Sequence, residues 1–169
     1  MDKISAPSQT YINNFLKSGK IQEKEFAKLF RDSTLSSKKE DMFEHWDVKI
    51  SYKFDVKGLK KIKRNNDEVD ENFHYIEIKN VNGNLGWLYG QADYFVFELK
   101  KYWIIVEKIK LQEFIKSNTI KEYVKFPTLN KLYQRSGRND VITLVSSYDL
   151  IFISEKMIEK ESNFETNGN

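Results

Sequence analysis

Two short patterns in this chain set an acid two residues before a lysine: Asp55-Val56-Lys57 and Glu77-Ile78-Lys79. In a β-strand, residues two apart share a face, so each pattern places a carboxylate beside an ammonium. Carboxylate oxygens are the ligands Mg²⁺ prefers, and that ion keeps several of its waters. A bound cation and a lysine together stabilise the negative charge that gathers at phosphorus when water attacks a phosphodiester. A further carboxylate, Asp47, precedes Asp55 by eight residues in the setting His45-Trp46-Asp47, and Gly58 follows Lys57. In a chain that is 31% charged, an exposed strand edge also produces acid-x-lysine. The repeat and the flanking acid single this one out.

The element that must position these groups is residues 46–58, WDVKISYKFDVKG. Trp46, Val48, Ile50, Tyr52, Phe54 and Val56 alternate with Asp47, Lys49, Ser51, Lys53, Asp55 and Lys57. Such alternation predicts β-structure with one face buried and the other, carrying the carboxylates and lysines, in water. A straight strand would hold Asp47 and Asp55 roughly 26 Å apart. The two can serve one ion only if the segment folds back near Ser51. A three-residue turn or a bulge would oppose them on one face; a two-residue turn at Ser51-Tyr52 would separate them.

Around this stretch the chain reads as α+β or α/β: a central mixed sheet, with an antiparallel three-strand meander, flanked by helices. Residues 9–17 and 22–31 predict helices; Phe26, Leu29 and Phe30 form an apolar face on the second. Residues 39–45 suggest a helical turn. The third strand of the meander is 73–81, after a polar loop at 65–72. Residues 85–91 suggest a short helix or aromatic loop. Further strands are expected at 93–99, 102–110 and 140–145, with a helix at 111–118. Residues 121–140 read as irregular and basic, and 148–156 has no clear assignment. One domain over 1–160 and a disordered tail at 161–169 are expected.

The net charge is only +3, so local charge carries more information. Between Lys49 and Arg64 there are seven basic residues against one acid, Asp55. A basic block beside a candidate site suits a polyanion, with Lys60, Lys61, Lys63 and Arg64 as backbone contacts. A lysine-rich solvated hairpin has the same composition. Arg135 and Arg138, with Lys125 and Lys131 near Tyr133 and Gly137, form a second basic run suited to phosphate. Trp87 and Tyr89 either stack on bases or pack in the core. His45 and His74 have no metal-site spacing and read as structural. The absence of cysteine excludes disulfides, zinc–cysteine sites and a cysteine nucleophile. No Walker or dinucleotide motif is present. No run approaches a membrane span, and no apolar leader is visible at the start, so a cytoplasmic protein is expected.

Residues 20–98 resemble the PD-(D/E)xK nuclease superfamily, with its restriction-endonuclease-like or Holliday-junction-resolvase-like fold. The resemblance rests on WDVKISYKFDVKG and on IEIKNVNGNLGWLYGQADYFVFE, which looks like small phage-type members. Trp46-Asp47 stands where the family has a prolyl-acid pair. The resemblance implies a Mg²⁺ (or Mn²⁺)-dependent DNA endonuclease, often dimeric. Two assignments follow. In one, Asp47 and Asp55 hold the ion and Lys57 positions water, with Glu77 as an extra metal ligand. In the other, Asp55 is the first acid and Glu77-x-Lys79 the motif. Glu25 (or Glu23) would be the acid borne by the helix, and Gln91 an auxiliary contact. A non-catalytic nucleic-acid-binding or phage accessory protein on the same fold is the alternative.

Overall fold

The computed structural model describes residues 19–30, 33–61 and 68–160. Residues 19–27 form helix α1. Strand β1 (Thr34–Leu35), helix α2 (Lys38–Glu44) and strands β2 (Val48–Lys49), β3 (Lys53–Lys57), β4 (Lys60–Lys61), β5 (Val69–Asp70) and β6 (Phe73–Lys79) follow. A 3₁₀ turn at Trp87–Tyr89 leads to β7 (Tyr94–Glu98), β8 (Tyr102–Glu107) and helix α3 (Lys108–Asn118). The described chain closes with β9 (Ile120–Val124), β10 (Lys131–Gln134), β11 (Val141–Ser146), helix α4 (Ser147–Ile153) and β12 (Lys156–Glu159). No helix among the described residues is long and apolar enough to cross a membrane.

The class is α+β, but the strands are divided between sheets. Six form a large mixed sheet in the order β1-β2-β3-β7-β8-β12; four form a smaller one, β6-β11-β10-β9; β4 and β5 pair separately. In the large sheet only β3 and β7 run parallel. The expected meander is therefore corrected. Residues 73–79 do not join the hairpin as its third strand but pair antiparallel with β11 in the smaller sheet. The neighbour of β3 is β7, whose continuous apolar run YFVF suits a strand buried on both faces. The supposedly irregular 121–140 supplies β9 and β10, and 147–159 supplies α4 and β12. The expected helix at 9–17 and the tail at 161–169 lie outside the described residues.

Local chemistry accounts for the small elements. Ser37 and Glu40 form a capping box that starts α2: Glu40 N–H donates to Ser37 Oγ at 3.3 Å and Ser37 N–H to Glu40 Oε2 at 2.9 Å. His45 ends the helix in the left-handed region, at φ 55°. Glu44 then ties α2 to the hairpin, accepting from Trp46 Nε1 at 3.1 Å and Lys53 Nζ at 3.0 Å.

The large sheet is covered on both faces. On one, Phe26 of α1 is fully buried among Phe30, Phe54 and Trp103, with ring centroids 5.2, 5.5 and 5.6 Å away. Val48, Val96 and Ile105 complete this layer. On the other, Phe95, Phe97, Ile104 and Val106 meet Ile76 and Val145 of the smaller sheet, Leu111 of α3 and Leu150 of α4. Phe26→Ala should lower the unfolding free energy by about 3–5 kcal/mol in urea titration, the range for truncating a well-packed phenylalanine. An unchanged midpoint would mean that α1 does not dock on the sheet.

Candidate functional site

Strands β2 and β3 turn back through Ile50-Ser51-Tyr52, with Val48 opposite Phe54 and Lys49 opposite Lys53. Ile50 N–H donates to Tyr52 O at 2.9 Å inside the turn. One further step of this register sets Asp47 opposite Asp55, as a three-residue turn requires. The Asp47 N–H donates to Phe54 O at 2.7 Å, and Asp47 Oδ2 accepts from Val56 N–H at 2.8 Å. The charge of Asp55 is felt at Asp47.

Parallel pairing fixes where this pair points. Asp55 lies beside Phe95 and Lys57 beside Phe97, so both face the layer between the sheets. The carboxylate face is not wet as the alternation predicted. Asp47 is 7% exposed and Asp55 4%. Residues remote in sequence cover it. The turn after β6 brings Trp87 edge-on to Phe95 at 4.9 Å, and Lys57 Nζ sits 4.3 Å from the centroid of the Trp87 ring. Gly86 permits this approach: a Cβ there would lie 2.3 Å from the Glu77 carbonyl oxygen. Lys57 forms an ion pair with Asp55 Oδ1, while Asp55 Oδ2 is buried with no hydrogen-bond partner.

Electrostatics follow from this crowding. Burial pushes the Asp55 carboxyl above its ordinary range, against the pull of Lys57. Asp47 is raised to about 7, first by burial and then by the charge of Asp55. The acid contributed by α1 is Glu23. It is half-buried and raised by burial and by the charge of Asp47, whereas Glu25 is exposed.

The other expected site residues are not gathered here. Glu77 and Lys79 lie on β6 in the smaller sheet. Ile76 turns into the core, so the neighbours Glu77 and Lys79 face away from it. Lys79 is exposed, and Glu77 Oε2 accepts from Trp87 N–H at 3.4 Å. An Asp55–Glu77 pair across adjacent strands is thus not formed, because those strands belong to different sheets. The Gln91 side chain is exposed, and its backbone N–H donates to Glu44 O at 2.7 Å. Lys60 is exposed on β4 opposite Asp70, and the Lys61 backbone pairs with Val69. The Lys61 side chain, Lys63 and Arg64 lie outside the described residues. Arg135 is committed to the buried Asp140, donating through Nε at 2.5 Å and through its guanidinium terminus. Arg138 is exposed at a turn where Gly137 takes φ 72°. His74 is buried against Phe97 and held neutral, its pKa lowered to about 4 by burial.

Of the two readings of Trp87, base stacking or core, the structure bears out the core: it packs against Phe95 and Phe97. Its position beside Lys57 depends on β6 leaving the large sheet, which no local pattern signals. Among the described residues no three histidine, aspartate or glutamate side chains converge as a metal cage. The protein's own donors at this site amount to a carboxylate pair with Lys57. Comparison with protein-family models, curated proteins and solved structures found no match.

The raised Asp47 has a definite pH signature. Its folded value of about 7 exceeds the ordinary 3.8, so the folded protein binds this proton more tightly than the unfolded chain. That stabilisation is complete below 3.8 and is lost as pH rises through about 7. In chelator, Asp47→Asn should flatten this loss and raise stability at pH 8 by up to about 4 kcal/mol, at about 1.4 kcal/mol for each pH unit between 3.8 and about 7. Parallel urea midpoints of wild type and variant across this range would refute it.

Proposed function

We propose that this protein is a Mg²⁺- or Mn²⁺-dependent nuclease of the PD-(D/E)xK type, acting on DNA. The observation that carries the reading is that the hairpin brings the buried Asp47, whose Oδ2 accepts from Val56 N–H, beside the buried Asp55, with Lys57 paired to Asp55. The element order supports a restriction-endonuclease-like core: helix α1, an antiparallel hairpin bearing the acids, then a parallel neighbour beside the motif strand.

The residues present fit a divalent cation. Two carboxyl groups share a buried space, the charge of Asp55 raises the cost of ionising Asp47, and Asp55 Oδ2 has no partner. A positive ion would relieve both conditions. Asp47 and Asp55 would hold it, leaving its other positions to water and phosphate, as Mg²⁺ prefers. When bound, it would lower the pKa of a coordinated water and neutralise charge on the phosphate. Lys57, steadied over Trp87, would orient the attacking water or stabilise the developing charge. Val56 N–H fixes one oxygen of Asp47 and so the direction of its carboxyl. Glu23 adds acidity from α1.

A second reading follows from one observation, the near-complete burial of the pair. A non-catalytic nucleic-acid-binding or phage accessory interaction protein could keep the same hairpin as a structural device. Purified wild type should nick plasmid DNA with Mg²⁺ or Mn²⁺. Asp55→Asn should abolish nicking, and Lys57→Ala should slow it about 10²–10³-fold, the scale of losing one electrostatic donor. Glu77→Gln should cleave as wild type does. Mn²⁺ should raise the melting temperature of wild type but not of Asp55→Asn. Equal cleavage by Asp55→Asn would refute the nuclease reading, and absence of both cleavage and metal shift would favour the second.

A further inference from the structure

The smaller sheet carries a second concentration of chemistry, remote in sequence from the carboxylate pair. A groove of about 470 Å³ opens between β9 and β10, lined by Tyr123, Val124, Lys125, Tyr133, Gln134 and Ser136. Tyr123 is 58% exposed, and Phe126, one residue beyond Lys125, is 76% exposed. Isolated exposed aromatics are ordinary on protein surfaces, but a cluster around a groove marks a binding site.

The charges of this region are sorted in a telling way. Its acids are already satisfied. Glu122 pairs with Lys131 at 2.7 Å, and the fully buried Asp140 takes Arg135. Lys121, Lys125 and Arg138 are exposed and make no ion pair among the described residues. Of these cations Lys125 lines the groove, Lys121 lies on β9, and Arg138 lies in the turn that follows β10. Gln134 Nε2 donates to Arg138 O at 2.9 Å, which holds the 135–138 turn against the mouth of the groove. Flat aromatic faces receive bases of any identity, while scattered cations follow the phosphate chain. A duplex offers its phosphates but keeps its base faces stacked inside, so the aromatic half of the groove has no use for it.

We infer that the β9–β10 groove binds single-stranded nucleic acid, with Tyr123 and Phe126 stacking on bases and Lys125 and Arg138 contacting phosphates. The site lies apart from the carboxylate pair and stands whether or not that pair cleaves a substrate. Gln134 pairs with Val141, which pairs with Lys79. The groove therefore opens at the end of the smaller sheet from which the chain leaves β6 toward Trp87.

The test is fluorescence anisotropy of the full chain in chelator with short labelled oligothymidylate, oligouridylate and a duplex. Wild type should bind the single strands more tightly than the duplex, and the deoxy and ribo arms identify which sugar the groove accepts. Tyr123→Ala and Phe126→Ala should each weaken single-strand binding about tenfold, within the range for losing one stacked base. The double substitution Lys125→Ala with Arg138→Ala should reduce the slope of log affinity against log salt by about 1.4, two phosphate contacts on a single strand. Asp55→Asn should bind as wild type does, which separates failure of this site from failure of the nuclease reading. Unchanged melting temperatures for the Tyr123 and Phe126 variants would establish that both are folded. No binding by wild type, equal binding by the aromatic variants, or equal affinity for duplex would each overturn the inference.

Discussion

Two aspartates buried face to face impose the constraint to which the rest of the structure responds. A carboxylate removed from water disfavours its own charge, and a second one beside it doubles the objection. The chain meets this with groups drawn from several elements. Val56 N–H donates to Asp47 from the opposite strand. Lys57 pairs with Asp55 from the next position on the same face. Trp87 closes over Lys57 and limits its access to solvent. Glu77, which does not reach the pair, accepts from the Trp87 backbone and so holds the cover rather than the acids. None of these fully compensates Asp55, whose second oxygen is left without a partner. A fold that retains such a defect against its own stability is the pattern expected where a site serves something other than stability.

Part of this arrangement was legible in the sequence. Period-2 alternation over 46–58 gave the strands, and the need to bring Asp47 to Asp55 required a turn of particular length near Ser51. Both follow from side-chain geometry along one short segment. The capped helix α2 and the apolar run of β7 were equally local. The burial of the carboxylate face was not. Alternation says that two faces differ, but it does not say what stands opposite either. Here the polar face is covered by Trp87 and by a second sheet whose strands come from 73–79, 120–134 and 141–146. Whether 73–79 adds to the hairpin or leaves it depends on competition between two pairing partners, β3 and β11. FHYIEIK fits either as a half-buried strand, so composition could not decide between them. The same loss of locality separated Glu77-x-Lys79 from Asp55, though its motif is as good as the first.

The two sheets also divide the chemistry. Two buried acids of the large sheet are ion-paired: Asp55 with Lys57, and Glu98 with Lys160 at 2.6 Å. Its central strands β7 and β8 are buried on both faces, which leaves little freedom for the hairpin they support. The smaller sheet is half open, and its outer strand β9 is mostly exposed. Rigid support under the acids and an open, basic, aromatic edge elsewhere are different physical requirements. Precision in a charged site comes from packing that cannot relax, whereas recognition of a flexible polymer tolerates mobile lysines and exposed rings.

The geometry of Lys57 bears on how such a site would handle charge. Its ammonium has two neighbours, an anion and an aromatic face, and both attract it. In the isolated chain it acts as a partial substitute for a metal ion, offsetting one of two carboxylates. An ion arriving at the pair would compete with Lys57 for Asp55 and free the ammonium without moving its stem, since the Trp87 ring still holds it. The lysine would then stand next to the ion with its charge no longer spent on the acid. Under the proposed nuclease reading, displacement of the ion pair that steadies the protein without metal would leave a cation positioned for phosphate.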